Sequence, residues 1–92
     1  MMLKKFDMVI LIKSVEKLVQ RGITQGCGGI IVQVNEENYC VMFMNGNNYG
    51  NGIFATVSEN DVKYLSKFPV QFQNELEEYL QGVDTSSFLL SI

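Results

Sequence analysis

The sequence predicts a mainly β chain: a small, strongly bent barrel of five strands with a C-terminal α-helix packed on it. Three observations carry that reading. Five short apolar segments alternate with turn-type residues. A long, glycine-bearing connection follows the first of them. Beyond Pro69 the apolar period changes from that of a strand to that of a helix. At 92 residues the chain has room for one domain. Residues 1–65 are assigned to the barrel, and 66–92 to a helix and apolar tail of the same domain.

The first strand is expected over Phe6 to Lys13, where Met8-Val9-Ile10-Leu11-Ile12 is continuous enough to be covered on both faces. Residues 14–28 are polar and carry Gly22, Gly26 and Gly28, so they form a long loop with one helical turn around Val15 to Val19. Gly29 to Val34 is the second strand, with Ile30, Val32 and Val34 on one face. Asn35-Glu36-Glu37-Asn38 is a hairpin turn. Tyr39 to Met44 follows as the third strand. It sends Tyr39, Val41 and Phe43 one way and Cys40, Met42 and Met44 the other.

Asn45 to Gly52 holds three Gly and four Asn, a composition suited only to a turn or an exposed loop. Ile53 to Val57 is the fourth strand. Ser58 caps a single turn closed by Asp61, and Val62 to Leu65 is the fifth strand. Pro69 opens a helix to about Gln81, in which Phe72, Leu76, Tyr79 and Leu80 make one stripe, and Gly82 stops it. The oily second face of the third strand needs a cover. The helix is expected across it, burying Phe72, Leu76 and Leu80. Tyr49 in the Asn/Gly loop and Tyr79 on the helix are candidate aromatic anchors, with the core the favoured place for Tyr79. The tail 83–92 ends in Phe88-Leu89-Leu90-Ser91-Ile92. It is too apolar to float without cost, so it packs on the domain, adds an edge strand or enters an interface.

Composition removes most chemistry. The chain has no His, which takes away the commonest general base near neutral pH and every imidazole metal site. A Ser or Cys nucleophile therefore has no imidazole to activate it. Gly26-Cys27-Gly28-Gly29 lacks the lysine and helix of a phosphate loop. The adjacent pairs Glu36-Glu37 and Glu77-Glu78 suit a turn and a helix face without catalysis. The expectation is a chain that is not an enzyme and takes no cofactor or metal. Two cysteines, Cys27 and Cys40, are too few for a secreted disulfide framework, which points to a reduced, cytoplasmic setting. The sequence leaves open whether they pair. The basic start Met1 to Lys5 is followed by too short a run, interrupted by Asp7, for a signal peptide or a membrane span.

The segment from Asp7 to Leu65 carries a particular order. Asp7-Met8-Val9 opens an apolar strand. After the loop comes Gly26-Cys27-Gly28-Gly29-Ile30-Ile31-Val32-Gln33-Val34, then Tyr39-Cys40-Val41-Met42-Phe43, then Ala55-Thr56-Val57 before Val62. This resembles a bacterial family of small SH3-like barrels of unassigned function, with Gly26, Gly29, Ile31, Val32 and Val34 matching its glycine-led strand. The resemblance spans about two-thirds of the chain and implies an SH3-like barrel, to which the C-terminal helix and tail are an addition. The same turn is similar to the KOW segment of nucleic-acid-binding barrels. That segment uses Lys and Arg around the turn, and Gly22 to Gly52 contains neither.

Charge is unevenly spread. The chain has 7 Lys plus Arg against 10 Asp plus Glu, for a net charge of −3. Residues 1–21 carry the cations Lys4, Lys5, Lys13, Lys17 and Arg21, whereas the rest of the chain is strongly acidic and 68–92 contain no cation. Glu75, Glu77, Glu78 and Asp84 fall late in the helix region, where the helix dipole disfavours each carboxylate by about 0.3–1 kcal/mol. A surface for a Lys/Arg-rich partner explains that placement, because complementary charge steers encounter.

The expected function is a non-enzymatic protein-binding module, an immunity or antitoxin-like inhibitor of a basic toxin or nuclease. Glu75, Glu77, Glu78 and Asp84 would supply the charge, and Asn47, Asn48 and Tyr49 in the Asn/Gly loop the shape. The alternative is an accessory or assembly domain using the barrel and tail for subunit contacts or homo-oligomerisation. A KOW-like nucleic-acid module built on Lys4, Lys5 and Arg21 stands third.

Overall fold

The computed structural model describes residues 3–44 and 52–82, and everything below concerns those. Asn47, Asn48, Tyr49 and Asp84, together with the tail 83–92, lie outside the described residues.

Five strands form one antiparallel sheet: β1 (Asp7–Leu11), β2 (Gly28–Val34), β3 (Tyr39–Phe43), β4 (Ile53–Val57) and β5 (Val62–Lys67). The spatial order is β4-β3-β2-β1-β5, so the first strand lies between the second and the last. A short helix α1 (Glu16–Val19) interrupts the β1–β2 connection, a 3-10 turn (Glu59–Asp61) joins β4 to β5, and α2 (Val70–Gln81) ends the described chain. The expected elements are all present. The differences are at their ends: β1 stops at Leu11, with Ile12 and Lys13 exposed, and β5 continues two residues past Leu65. The sheet is open rather than closed by pairing, with β4 and β5 as its edges.

Local chemistry accounts for the bends. The register between β2 and β3 slips between Ile31 and Gln33, so Val32 is an extra residue in its strand; a second slip between Met8 and Val9 leaves Leu65 extra in β5. Such bulges add local twist and bend the strand that carries them. Gly29, opposite Phe43, is required by proximity. A Cβ there would stand 2.6 Å from Val41 Cγ1 and 2.9 Å from the Met42 carbonyl oxygen. Gly26 is required by its backbone, with φ at +99° two residues before β2 begins. Phe6 also has positive φ, 74°, at the corner that leads into β1. Its N–H donates to the Ile31 carbonyl at 2.8 Å and its carbonyl accepts from the Phe68 N–H at 2.8 Å, which ties this corner to β2 and to the end of β5. The Ser58 N–H donates to Asp61 Oδ2 at 3.0 Å, half of the reciprocal cap its spacing predicts.

Strand alternation divides the core into two. On the first face, Val9, Leu11, Ile31, Val41, Phe43, Ala55, Val57 and Val62 are buried, closed over by Leu3, Leu18 of α1 and Ile23. On the second face, Ile30, Val32, Cys40, Met42 and Phe54 are buried, with Leu76 of α2 laid against them. The division within β3 follows the period of two read from its sequence. Val34 departs from it, because the bulge at Val32 precedes it and leaves its side chain exposed. No helix among the described residues is long and apolar enough to cross a membrane.

Candidate functional site

Helix α2 begins after Pro69, whose missing N–H costs nothing at a helix start. It meets the second sheet face through Leu76, which is buried, and Leu80, which is partly so. Leu80 and Gln81 sit beside Val32 and Gln33, so the C-terminal end of the helix lies over the far part of β2, toward the Glu36-Glu37 turn. Along one side of the helix, between Phe72 and Tyr79 and the sheet, runs a groove of about 450 Å³, with Ile30, Met42 and Met44 beneath and Phe68 at its end. Phe68 and Phe72 stack at a tilt, with ring centroids 6.4 Å apart.

This corrects two expectations about the apolar stripe. Phe72 is 45% exposed and Tyr79 46%, so Phe72 is not buried as expected and Tyr79 stands as an anchor at the surface instead of in the favoured core position. The helical period puts them on the stripe correctly. They flank the line of closest contact drawn by Leu76 and Leu80, so they edge the groove instead of filling it.

The three described carboxylates of the acidic helix part company. Glu75 is exposed and lies at the groove beside Leu76 and Tyr79. Glu78 is exposed one turn further on, and neither has an ion pair among the described residues. Glu77 is different. Its Oε1 lies 2.5 Å from Lys5 Nζ, and the same ammonium stands 5.2 Å from the centre of the Phe6 ring. One of the three charges is therefore spent inside the molecule, on the N-terminal segment that lies beside the helix. Among the described residues the helix offers two carboxylates to a partner.

The cysteines point to opposite faces. Cys40 is fully buried in the second-face cluster, whereas Cys27 is half-buried against the first-face cluster, with its sulfur 3.8 Å from Thr24 Oγ1. Both are free, and the sheet stands between them. Burial raises the Cys40 thiol pKa to about 11, an effect that the positive charge of Arg21 only partly offsets. That makes it a poor nucleophile. Arg21 itself donates through Nη2 to the carbonyl of Phe54 on edge strand β4, at 2.7 Å. No group of three or more Cys, Asp and Glu is arranged to hold a metal among the described residues.

The sequence reading missed the groove, and with it Met42, Met44 and Ile30 as its floor. Its one available signal was size. Phe72 and Tyr79 recur along one edge of the helix with Phe68 just before it, and three aromatic side chains are more than a two-leucine contact can cover. Comparisons with protein-family models, with curated proteins and with solved structures gave no match.

Proposed function

We propose that the chain is a non-enzymatic protein-binding module built on an SH3-like barrel, and within that class an immunity or antitoxin-like inhibitor of a basic toxin or nuclease. The barrel reading is supported by β1 pairing with both β2 and β5, and by bulges at Val32 and Leu65 that bend the sheet. The inhibitor reading is carried by one observation. Helix α2 holds Glu75 and Glu78 exposed, without a cation anywhere between Phe68 and Gly82, next to half-exposed Phe72 and Tyr79. Aromatic anchors ringed by charge are the usual anatomy of a protein-binding surface. Carboxylates laid over a cationic active site would compete with a substrate's phosphates.

Affinity capture from the source cells, with salt titration of the captured complex, tests this. The expected result is a basic protein that is released as salt rises and whose toxin or nuclease activity falls when the chain is added back. Reversing both charges, Glu75→Lys with Glu78→Lys, is expected to weaken the complex by about tenfold or more. Capture that ignores salt and both reversals would remove the inhibitor reading.

The exposed apolar residues favour a second reading, an assembly domain. Phe72 and Tyr79 are each nearly half exposed on one side of α2, and Val70, 77% exposed, lies on the other. Sedimentation of the full chain and of a chain lacking 83–92 separates the two. A concentration-dependent oligomer that the truncation abolishes, with the fold intact, supports assembly.

A further inference from the structure

We propose that the groove between α2 and the second sheet face is the docking site for a cationic amphipathic segment of a protein partner. Such a segment seats apolar side chains among Met44, Phe68, Phe72 and Tyr79, above the nearly buried Ile30 and Met42, and sets Lys or Arg against Glu75 and Glu78. This rests on the reading of the chain as a protein-binding module and names how it binds.

Three features single out that occupant. The first is shape. At about 450 Å³ the groove has room for more than one large side chain, and its floor is aliphatic and thioether. Methionine side chains repack around different apolar shapes, which suits a surface that receives an inserted residue. The second is exposure. Phe72 and Tyr79 each leave nearly half their surface in water at the groove wall. An amphipathic helix or strand laid along α2 would cover them instead.

The third feature is charge. Glu75 lies at the groove and Glu78 one turn away, both exposed, and no cation occurs from Phe68 to Gly82. The nearby ammonium of Lys5 is already held between Glu77 and the Phe6 ring. A second copy of this chain docked by twofold symmetry through the same helix would set one cation-free acidic helix against another, where like charges repel. An acidic segment meets the same repulsion. A segment that pairs leucine-like residues with lysine or arginine satisfies both the floor and the rim.

The test uses the full chain with ¹³C-labelled methionine methyls and ¹⁵N-labelled amides, and three synthetic peptides. One is a helical peptide of Leu and Lys with leucines on a single face, the second replaces every Lys by Glu, and the third replaces every Leu by Ser. The Leu/Lys peptide is expected to shift the Met42 and Met44 methyls saturably and to leave Met8, which does not line the groove, in place. Phe72→Ala is expected to weaken it about tenfold and Glu75→Gln by about two- to fivefold, the size of one exposed ion pair. The Leu/Glu peptide is expected to leave both methyls unmoved.

Four results would overturn the proposal. If the Leu/Lys and Ser/Lys peptides perturb only amides around Glu75 and Glu78, the acidic helix binds cations but the groove takes nothing, and the protein-binding reading survives alone. If the Leu/Glu peptide binds as well as its cationic twin, the rim selects no charge. If Met42 and Met44 respond only after residues 83–92 are removed, the groove belongs to the chain's own tail. If no cationic peptide binds anywhere, the groove and the acidic surface fall together.

Discussion

The two faces of the sheet are built from the same strands and finished in different ways. The first is sealed: Val9, Ile31, Val41, Phe43 and Ala55 lose essentially all contact with water, under a cover assembled from Leu3, α1 and Ile23. The second is roofed by a single helix. It fits tightly at Leu76, partly at Leu80, and leaves Phe72 and Tyr79 nearly half exposed. A sealed face can only hold the fold. A half-roofed face also offers apolar surface, and here the surface lies beside carboxylates. Stability and recognition are thus assigned to opposite sides of one sheet.

The largest effect is expected where that division is attacked directly. Phe43→Ala removes the largest fully buried side chain of the sealed face and should cost about 3–5 kcal/mol. In a domain of this size that lowers Tm by tens of degrees and threatens folding outright. Leu76→Ala removes the tightest anchor of the roof and should cost about 2–3 kcal/mol, the low end for a buried leucine, because the helix can lift away. Hydrogen exchange distinguishes the two. Phe43→Ala should accelerate every protected amide together, whereas Leu76→Ala should accelerate those of α2 first and spare β1 to β3. Equal, global acceleration in both would mean that the roof and the sealed core are one cooperative unit.

A second contrast, this one between the cysteines, gives a pH dependence. The folded state holds the Cys40 thiol protonated up to about 11, whereas an exposed thiol ionises near 9.0. Between those values the unfolded chain has released a proton that the folded chain keeps. Stability from this group is therefore complete below about pH 9 and falls as pH rises toward 11, by roughly 2–3 kcal/mol in all. Denaturant midpoints measured across that window should decline more steeply in the native chain than in Cys40→Ala. Thiol reagents at pH 8 should modify half-buried Cys27 in the folded protein and leave Cys40 until unfolding. Simultaneous labelling would show that the second face opens readily.

Legibility in the sequence follows the same partition. The sealed face could be read because it is made of strands, and strand alternation is local. Val41 and Phe43 fall opposite Cys40 and Met42 whatever the rest of the chain does. The turn at Ser58, the break at Pro69 and the stop at Gly82 were equally local. The bulges were not. Nothing in Ile31-Val32-Gln33 announces that Val32 has no partner, yet that extra residue sends Val34 outward. The candidate site depends on how high a helix rides above a sheet, which is a tertiary quantity. The helical period placed Phe72 and Tyr79 on the correct stripe but gave no measure of the gap beneath them. The Lys5–Glu77 contact joins residues 72 positions apart, so the reading of a continuous acidic helix had no means of subtracting it.

That ion pair provides the smallest expected effect and the finest probe of the roof. Lys5 and Glu77 are each about two-fifths exposed, so solvent screens their attraction. A double-mutant cycle with Lys5→Met and Glu77→Gln should return a coupling of about 0.2–1 kcal/mol, shrinking as salt is added. Lys5 also lies over the Phe6 ring, and methionine keeps most of its aliphatic length, so the cycle isolates charge from packing. The consequence for binding should have the opposite sign. Removing the lysine charge frees Glu77, and Lys5→Met should therefore tighten a cationic partner's hold on α2 while slightly loosening the fold. If Lys5→Met weakened binding instead, Lys5 itself would belong to the contact surface, and the division between a charge kept for the fold and charges left for a partner would have to be redrawn.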